Sequence, residues 1–371
     1  MCNVNLQLPV HSYFDVQLFE REKQRLFDTG PRYVGHTLAV PEPGDYLALA
    51  QEANGRALVR HADGSIGLIS NVCRHRQAIM LSGRGNLGKE GKGHAGGNIV
   101  CPIHRWTYAP DGTLLGAPQF DHDPCLHLNN YGLREWNGLQ FEDNGRDIAA
   151  DLGGMATAAH LSFDGFALDH IELHECNYNW KTFIEVYLED YHVGPFHPGL
   201  GNFVTCDDLS WEYGREFSVQ TVGVAPTFAT PGTDAYRTWH DVLLRYQDGA
   251  MPERGAIWLC YYPHIMIEWY PQALTVSTLH PIGVNKTLSL VEFYYPEEIV
   301  AFERQFVEAQ RAAYMETAIE DDEIAERMDA GRKALLQRGD NEVGPYQSPL
   351  EDGMQHFHQW YRRTMNEAAG A

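Results

Sequence analysis

The chain reads as an α+β protein built from a small all-β domain followed by a larger α+β domain, and three stretches carry that reading. Residues 36–145 are rich in Gly and turn signals, with short apolar runs such as YLALA, IGLISNV and NIVC. Such runs form small strands joined by loops. The Pro110-Asp111-Gly112 segment between two apolar stretches is a hairpin signal. Residues 150–165 (AADLGGMATAAHLSFD) are small and irregular, as in a linker. Beyond them, residues 216–225 and 256–295 alternate and are rich in aromatics, which predicts strands. Residues 296–338 predict helix, with Ile299, Phe302, Phe306 and Ala313 roughly one turn apart. A last helix is expected to open at Ser348-Pro349-Leu350-Glu351: Ser caps, Pro takes the first helical position, and Glu reaches back. The expected boundaries are an N-terminal helical segment over 1–35, an all-β domain over 36–148 and an α+β domain over 149–371.

A chain of 371 residues can hold two cores. Its 28 basic and 50 acidic residues leave a net charge of −22. That argues against nucleic-acid or anionic-membrane partners, which need a positive surface. The most apolar stretch, 256–269, is short and interrupted by Pro263, His264 and Glu268, so no membrane span is expected. The first Lys or Arg is Arg21 with no apolar core before it, so no signal peptide is expected. Seven scattered cysteines (Cys2, Cys73, Cys101, Cys125, Cys176, Cys206 and Cys260) do not form a disulfide framework. A reducing cytoplasm is the expected location.

Two of those cysteines sit beside histidines. Cys73-Arg74-His75 recurs in altered form as Cys101-Pro102-Ile103-His104, each at the end of a strand-like run. Two mixed loops of this kind suit a [2Fe–2S] cluster, one iron taking both thiolates and the other both imidazoles. Neutral imidazoles remove negative charge and raise the potential to about −150 to +300 mV, against about −400 mV for an all-Cys plant-type cluster. Zinc is the alternative, but zinc fingers usually pair Cys with Cys and His with His.

The second constellation is EVYLEDYHVGPFH, residues 185–197. Glu185, Glu189 and His192 are spaced i, i+4 and i+7, which predicts one helical face. Pro195 should then end or kink the helix and let His197 swing toward the same centre as His192. Two imidazoles and one carboxylate make the facial triad of non-haem Fe(II), with positions left open for dioxygen. The carboxylate must come from elsewhere, and Glu320, Asp321 and Asp322 in TAIEDDE are the candidates.

CRHR (73–76), CPIHRWTY (101–108) with the following Asp-Gly hairpin, and NWKTFIEVYLEDYHVGPFH (179–197) together resemble the Rieske non-haem iron oxygenases, in particular the large (α) subunits of aromatic ring-hydroxylating members. The resemblance covers most of the chain. It implies a Rieske domain joined to a catalytic domain with an antiparallel sheet flanked by helices, of helix-grip type. It implies Cys73, His75, Cys101 and His104 as cluster ligands, and His192, His197 and Asp321 as ligands of a mononuclear Fe(II). It also implies that Glu189 bonds His192 and a Rieske histidine of the neighbouring subunit in a head-to-tail trimer. A carboxylate in that position orients both rings and gives the electron a bonded path. The chain departs from the family pattern at Gln77 and Arg105, where Gly is usual, in a longer loop around residues 86–98, and at Val186, where many relatives have Asn.

A cluster beside a lone ferrous ion suits dioxygen activation, with O2 as co-substrate. No Rossmann glycine fingerprint is present. Electrons are therefore expected from NAD(P)H through a separate reductase, with or without a ferredoxin. Arg74, Arg76 and Arg105 flank the cluster ligands, either as a docking patch or as ion pairs inside a trimer. For substrate, Trp258, Tyr261, Tyr262, Trp269 and Tyr270 are candidates to line a pocket for an aromatic or related cyclic molecule, or are strand residues filling the core. Aromatic faces also cage quaternary ammonium groups, so hydroxylation or demethylation of a quaternary amine or methyl ether is the alternative. A Rieske electron carrier or redox sensor without oxygenase activity is the alternative from another class. His356 and His358 are read as packing or surface groups.

Overall fold

The computed structural model describes residues 7–89 and 91–366; Cys2 lies outside them. The chain forms two compact units, one spanning Pro31–Ile148 and the other joining the N-terminal residues up to Gly30 with the chain from Ala149 onward.

The Pro31–Ile148 unit is all-β apart from short turns. Its five-stranded sheet has the order Asn130–Tyr131, Ile66–Ser70, Arg56–Arg60, Asp45–Ala48, Arg84–Asn86. A four-stranded sheet runs His94–Ala95, Asn98–Val100, Thr107–Tyr108, Leu114–Gly116, and a third sheet has three strands. Every pair is antiparallel, as short strands joined by tight turns require. The Pro110-Asp111-Gly112 turn closes a hairpin, with Ala109 N–H donating to Thr113 O at 2.8 Å. Gly112 has φ +85°, and a Cβ there would meet Leu128 Cβ at 3.0 Å. The core of this unit gathers Val59, Ile69, Ile99, Trp106, Tyr108 and Leu114 around Cys73 and Cys101.

The other unit is built on a seven-stranded antiparallel sheet. Its order is Phe166–Cys176, Lys286–Pro296, Ala273–Gly283, Ile265–Tyr270, Ala256–Tyr261, Phe217–Val224, Val204–Tyr213. Alternation along the strands, with Trp258 opposite Glu268 and Cys260 opposite Met266, puts all four on one face. Two apolar clusters meet that face. One holds Trp258 and Phe293 of the sheet, Trp239 of the helix Asp234–Tyr246, and Phe306, Val307 and Ala313 of the long helix Arg304–Arg338. The other holds Cys260, Met266 and Leu279 of the sheet with Trp180 and Ile184 of the helix Trp180–Tyr187, and Phe357, Trp360 and Tyr361 of the helix Asp352–Asn366.

The predicted helix 296–338 forms as two pieces, Glu297–Phe302 and Arg304–Arg338, broken at Glu303. The break changes the phase: Ile299, Phe306 and Ala313 are buried, but Phe302 is 84% exposed. The predicted capping box is displaced. The last helix begins at Asp352, and Ser348 Oγ donates to Asp352 Oδ2 at 3.1 Å instead of capping. Gln347 does the capping: its Oε1 accepts from Leu350 N–H at 3.1 Å, and Glu351 Oε2 accepts from Gln347 N–H at 2.5 Å. An amide with the reach of Gln outcompetes the Ser one residue later, because Glu351 fixes the Gln347 backbone.

Candidate metal centres and active-site cavity

The loops after Ile66–Ser70 and between Asn98–Val100 and Thr107–Tyr108 are near copies of each other. Gln77 N–H donates to Cys73 O at 3.0 Å, and Arg105 N–H donates to Cys101 O at 3.0 Å. Gln77 and Arg105 take φ of 53° and 63°, so the left-handed turn is made without glycine. The longer loop does not disturb this pair. Cys73 and Cys101 are buried, whereas His75 is half-buried and His104 exposed. The imidazole rings lie 4.7 Å apart, and His75 stacks on Trp106 at 5.1 Å with a 6° tilt. Tyr108 OH lies 3.6 Å from Cys73 Sγ and accepts from Arg74 N–H at 3.1 Å. Desolvation, His104 and Arg76 hold His75 below its usual value, in the neutral form a metal needs. The two thiols inside and two imidazoles outside suit ligands divided between two irons; a single tetrahedral zinc would draw all four to one point. Arg74, Arg76 and Arg105 are exposed and form no ion pair among the described residues.

In the other unit, His192, His197 and Asp321 each offer a ligand atom within 4.8 Å of the others. Asp321 Oδ1 lies 3.3 Å from His192 Nε2 and 3.0 Å from His197 Nε2. Although close, Asp321 Oδ1 and His197 Nε2 are buried without a hydrogen bond of good geometry. Converging donors left without partners are what a cation completes. The outer nitrogens differ: His197 Nδ1 bonds Glu320 Oε2 at 2.7 Å, whereas His192 Nδ1 lies 2.7 Å from Glu189 Oε1 without a hydrogen bond of good geometry, and Glu189 Oε2 accepts from the His192 backbone N–H at 3.1 Å. Burial works against the His192 imidazolium, but Asp321 and Glu189 outweigh it and raise the group to about 10. The same carboxylates would stabilise a dication.

The three successive acids point in three directions, as a 100° step per residue requires. Glu320 bonds His197, and Asp321 faces both Nε2 atoms. Asp322 bonds His174 Nε2 at 2.5 Å and accepts from Tyr178 OH at 2.6 Å.

All of these groups except Glu320 line a cavity on the sheet face described above. Trp239, Trp258, Tyr270, Tyr314, Val186 and Val193 supply much of its wall. Glu172, Glu189, Asp190, Glu268, Asp321 and Asp322 also line it, together with His174, His192 and His197, and among the described residues no Lys or Arg does. Of the five expected pocket aromatics, Trp258 and Tyr270 reach the cavity. Tyr261 bonds Asp151, Tyr262 bonds Ser218 and His356 at 2.8 and 2.9 Å, and Trp269 is not in the lining.

The Rieske [2Fe-2S] domain model matches residues 31–132, and the model of the ring-hydroxylating α subunit (catalytic domain) matches residues 162–367. The chain is 64% identical over 360 residues, 97% of its length and 96% of the relative's, to the putrescine 2-hydroxylase of Ralstonia nicotianae. It belongs to the Rieske ring-hydroxylating oxygenase α subunits. It is also 61% identical over 367 residues to the putrescine 2-hydroxylase of Bordetella bronchiseptica, covering 97% of this chain and 85% of that one. The structure of the quaternary ammonium Rieske monooxygenase with L-carnitine has the same fold, at TM-score 0.76 and 22% identity over 98% of this chain and 96% of that one. The oxygenase therefore carries a Rieske [2Fe-2S] cluster and mononuclear iron, uses O2 to hydroxylate a small molecule, and draws electrons from a separate reductase. Among the described residues of the oxygenase, no helix is long and apolar enough to cross a membrane.

Some expectations for the oxygenase need correction. Glu185 does not share a face with Glu189 and His192. The helix stops at Tyr187, with Leu188 at its C-cap, and Pro195 lies inside a later single turn, Val193–Phe196. Glu185 turns into the core, where it bonds Arg332 Nη2 at 2.5 Å, His358 Nε2 at 2.7 Å and Tyr13 OH. His358 is thus a fully buried packing group. The orienting role of Glu320 was not foreseen, nor was Asp190, which is buried with Oδ2 unbonded and pushed by burial and then Glu189 up to about 8.

Proposed function

We propose that this oxygenase monohydroxylates a short α,ω-diamine, with putrescine (1,4-diaminobutane) as substrate and carbon 2 as the position attacked. In this reading His192, His197 and Asp321 hold the iron, and Cys73, His75, Cys101 and His104 hold the cluster. Iron at this place supplies an activation site for O2, with the electrons delivered by the cluster. The balance is R–H + O2 + 2e⁻ + 2H⁺ → R–OH + H2O. Glu320 fixes the ring of His197 through Nδ1, and Glu189 accepts from the His192 backbone N–H with its other oxygen 2.7 Å from His192 Nδ1, so both Nε2 atoms stay aimed inward. Val186, Val193 and the cavity aromatics exclude water from the reacting carbon. The active assembly is a head-to-tail trimer in which Glu189 also meets a Rieske histidine of the neighbouring subunit. Arg74, Arg76 and Arg105 form the docking patch for the reductase or a ferredoxin.

The observation that carries the substrate is a lining with six carboxylates and, among the described residues, no Lys or Arg, in a chain 64% identical to a putrescine 2-hydroxylase. A dication offers donors to the carboxylates that have no basic partner, Glu268 and Asp190. An aromatic hydrocarbon would pack on Trp239 and Trp258 but leave Glu268 without a counter-charge, and a zwitterion such as carnitine would bring its own carboxylate to it. The test is turnover of the iron-replete protein with a surrogate reductase, NADH and putrescine, followed by mass spectrometry. A product 16 mass units heavier, with the oxygen on carbon 2, is expected. Coupled O2 uptake with an aromatic substrate and none with any diamine would overturn the proposal, and a monomer at working concentration would overturn the trimer.

A further inference from the structure

We propose that Glu268 receives one ammonium group of the substrate and so sets the preference of this cavity for an amine-bearing chain. The inference rests on the diamine reading above and assigns its recognition to one residue.

Glu268 stands in a lateral row across four strands, Gln220–Trp258–Glu268–Thr275, in which each residue is directly opposite the next. Gln220, Trp258 and Glu268 of this row line the cavity. The Glu268 side chain is only 4% exposed. Its Oε2 accepts from Tyr270 OH at 2.8 Å and its Oε1 from Tyr314 OH at 3.2 Å. Trp258 Nε1–H donates to Tyr270 OH at 2.9 Å, so the row holds the carboxylate in place through aromatic side chains. Among the described residues no Lys, Arg or His pairs with it.

The other cavity carboxylates differ. Asp321 faces His192 and His197, Glu189 pairs with His192, Asp322 with His174 and Tyr178, and Glu172 with His170. Asp190 lies beside Glu189 with its backbone N–H on Leu350 O at 2.9 Å, and is the rival to Glu268. Burial pushes Glu268 up to about 7, and the Asp321 charge adds to the rise. An ionisable group kept in a dry aromatic wall, where an amide would cost less, is a binding feature. An arriving ammonium removes the cost, and the faces of Trp258, Tyr270 and Tyr314 add cation–π attraction. A second, independent observation is Gln220. It is 1% exposed, its Nε2 donates to Tyr187 O at 2.9 Å, and its Oε1 has no hydrogen-bond partner. The row therefore presents acceptors on both sides of Trp258, and a diamine brings donors at both ends.

The experiment compares the iron-replete protein with its Glu268→Gln, Glu268→Asp and Asp190→Asn variants. Labelled putrescine is bound anaerobically by equilibrium dialysis, and KM and kcat are measured separately. Glu268→Gln should raise Kd and KM about ten- to hundredfold, the range for a charge-assisted hydrogen bond, with iron content and Rieske spectrum unchanged. Its melting temperature should hold or rise, because a buried carboxylate is removed. Glu268→Asp should stay within a few-fold of the parent. Binding within threefold of the parent for Glu268→Gln, or a loss confined to Asp190→Asn, would overturn the assignment while leaving the diamine reading intact. If the parent protein itself neither binds nor hydroxylates any diamine, the substrate reading fails instead. Should Glu268→Gln not fold, Glu268→Met, apolar and of similar length, gives the same comparison.

Discussion

Replacing Lys181 by Met should destabilise the catalytic unit in a way that grows with pH. Lys181 Nζ lies 2.8 Å from Glu22 Oε1 and 3.0 Å from Oε2, and both side chains are fully buried. Trp180 Nε1 at 3.0 Å and Tyr361 OH also bond Glu22. At an effective dielectric constant of about 20 the pair attraction is ~6 kcal/mol, most of it offset by desolvation of the two ions. The variant leaves Glu22 buried without a cation, and its cheapest response is to take a proton. Starting from an unfolded value near 4.3, that costs ~4 kcal/mol at pH 7, within the range of about 3–5 kcal/mol for breaking a buried pair. A carboxyl raised in the folded state keeps its full stability below the unfolded value and loses ~1.4 kcal/mol per pH unit above it. Urea denaturation at pH 5.5, 6.5 and 7.5 measures this. Glu22→Gln with Lys181→Met should recover to within about 1 kcal/mol of the parent and lose the pH slope, since Gln still accepts from Trp180. A loss under about 1 kcal/mol at pH 7 for Lys181→Met alone, or the same loss at all three pH values, would refute the reasoning.

Other outcomes follow from the same geometry. Asp321→Ala should lower iron from about three per chain to about two with the Rieske EPR signal intact, whereas Asp322→Ala should keep all three. Glu189→Gln should retain the iron and leave KM within a few-fold, but cut coupled turnover by about a hundredfold or more, read as O2 uptake and as reoxidation of the reduced cluster. Acid should unfold the chain early: burial depresses His36 to about 4, His280 to about 3 and His356 to about 4. Imidazoles depressed in the folded state lend stability that is present above the unfolded value near 6.5 and lost as pH falls from there toward 4 and 3, so the melting temperature should drop steadily across that window.

The cluster loops were legible because each Cys-His pair sits within four residues and its chemistry is stated by residue type. The seats of Gln77 and Arg105 were not, since nothing in the sequence says that a left-handed turn will be made without Gly. Residues 192 and 197 were legible for the same reason of nearness. Their acid was harder: Glu320, Asp321 and Asp322 are equal in composition, and only the phase of a long helix docked on the sheet separates them. The helix face drawn through Glu185 failed because its end at Tyr187 carries no Gly or Pro, while Pro195 imitates a stop signal about two turns too late. The strands Phe166–Cys176 and Val204–Tyr213 escaped notice because both are sheet edges with partly polar sides, so their alternation is weak. Glu268 was visible as a residue, but its burial without a cation is a tertiary fact.

The same failure of helix at residue 188 is what makes the proposed iron site depend on the distant last helix. An irregular stretch between two helical turns cannot satisfy its own backbone, and buried N–H and C=O groups must find partners. Here they find them in the segment that leads into the last helix: Asp190 N–H donates to Leu350 O at 2.9 Å, and Met354 N–H donates to Leu188 O at 3.1 Å. The Gln347–Glu351 cap sets the position of the turn that carries Leu350 and leads to Met354. On the other side, the buried Glu22–Lys181 pair and the Glu185–Arg332–His358 group hold the preceding helix. The two histidines therefore follow a stretch whose start is clamped by contacts more than 140 residues away in sequence, while its far end is held by His197 Nδ1 on Glu320 Oε2 at 2.7 Å. On the proposed assignment of His192, His197 and Asp321 to the iron, this accounts for the charge buried behind the site: residues 188–191 lie outside both helical segments, and a facial site needs both Nε2 atoms fixed before the metal arrives.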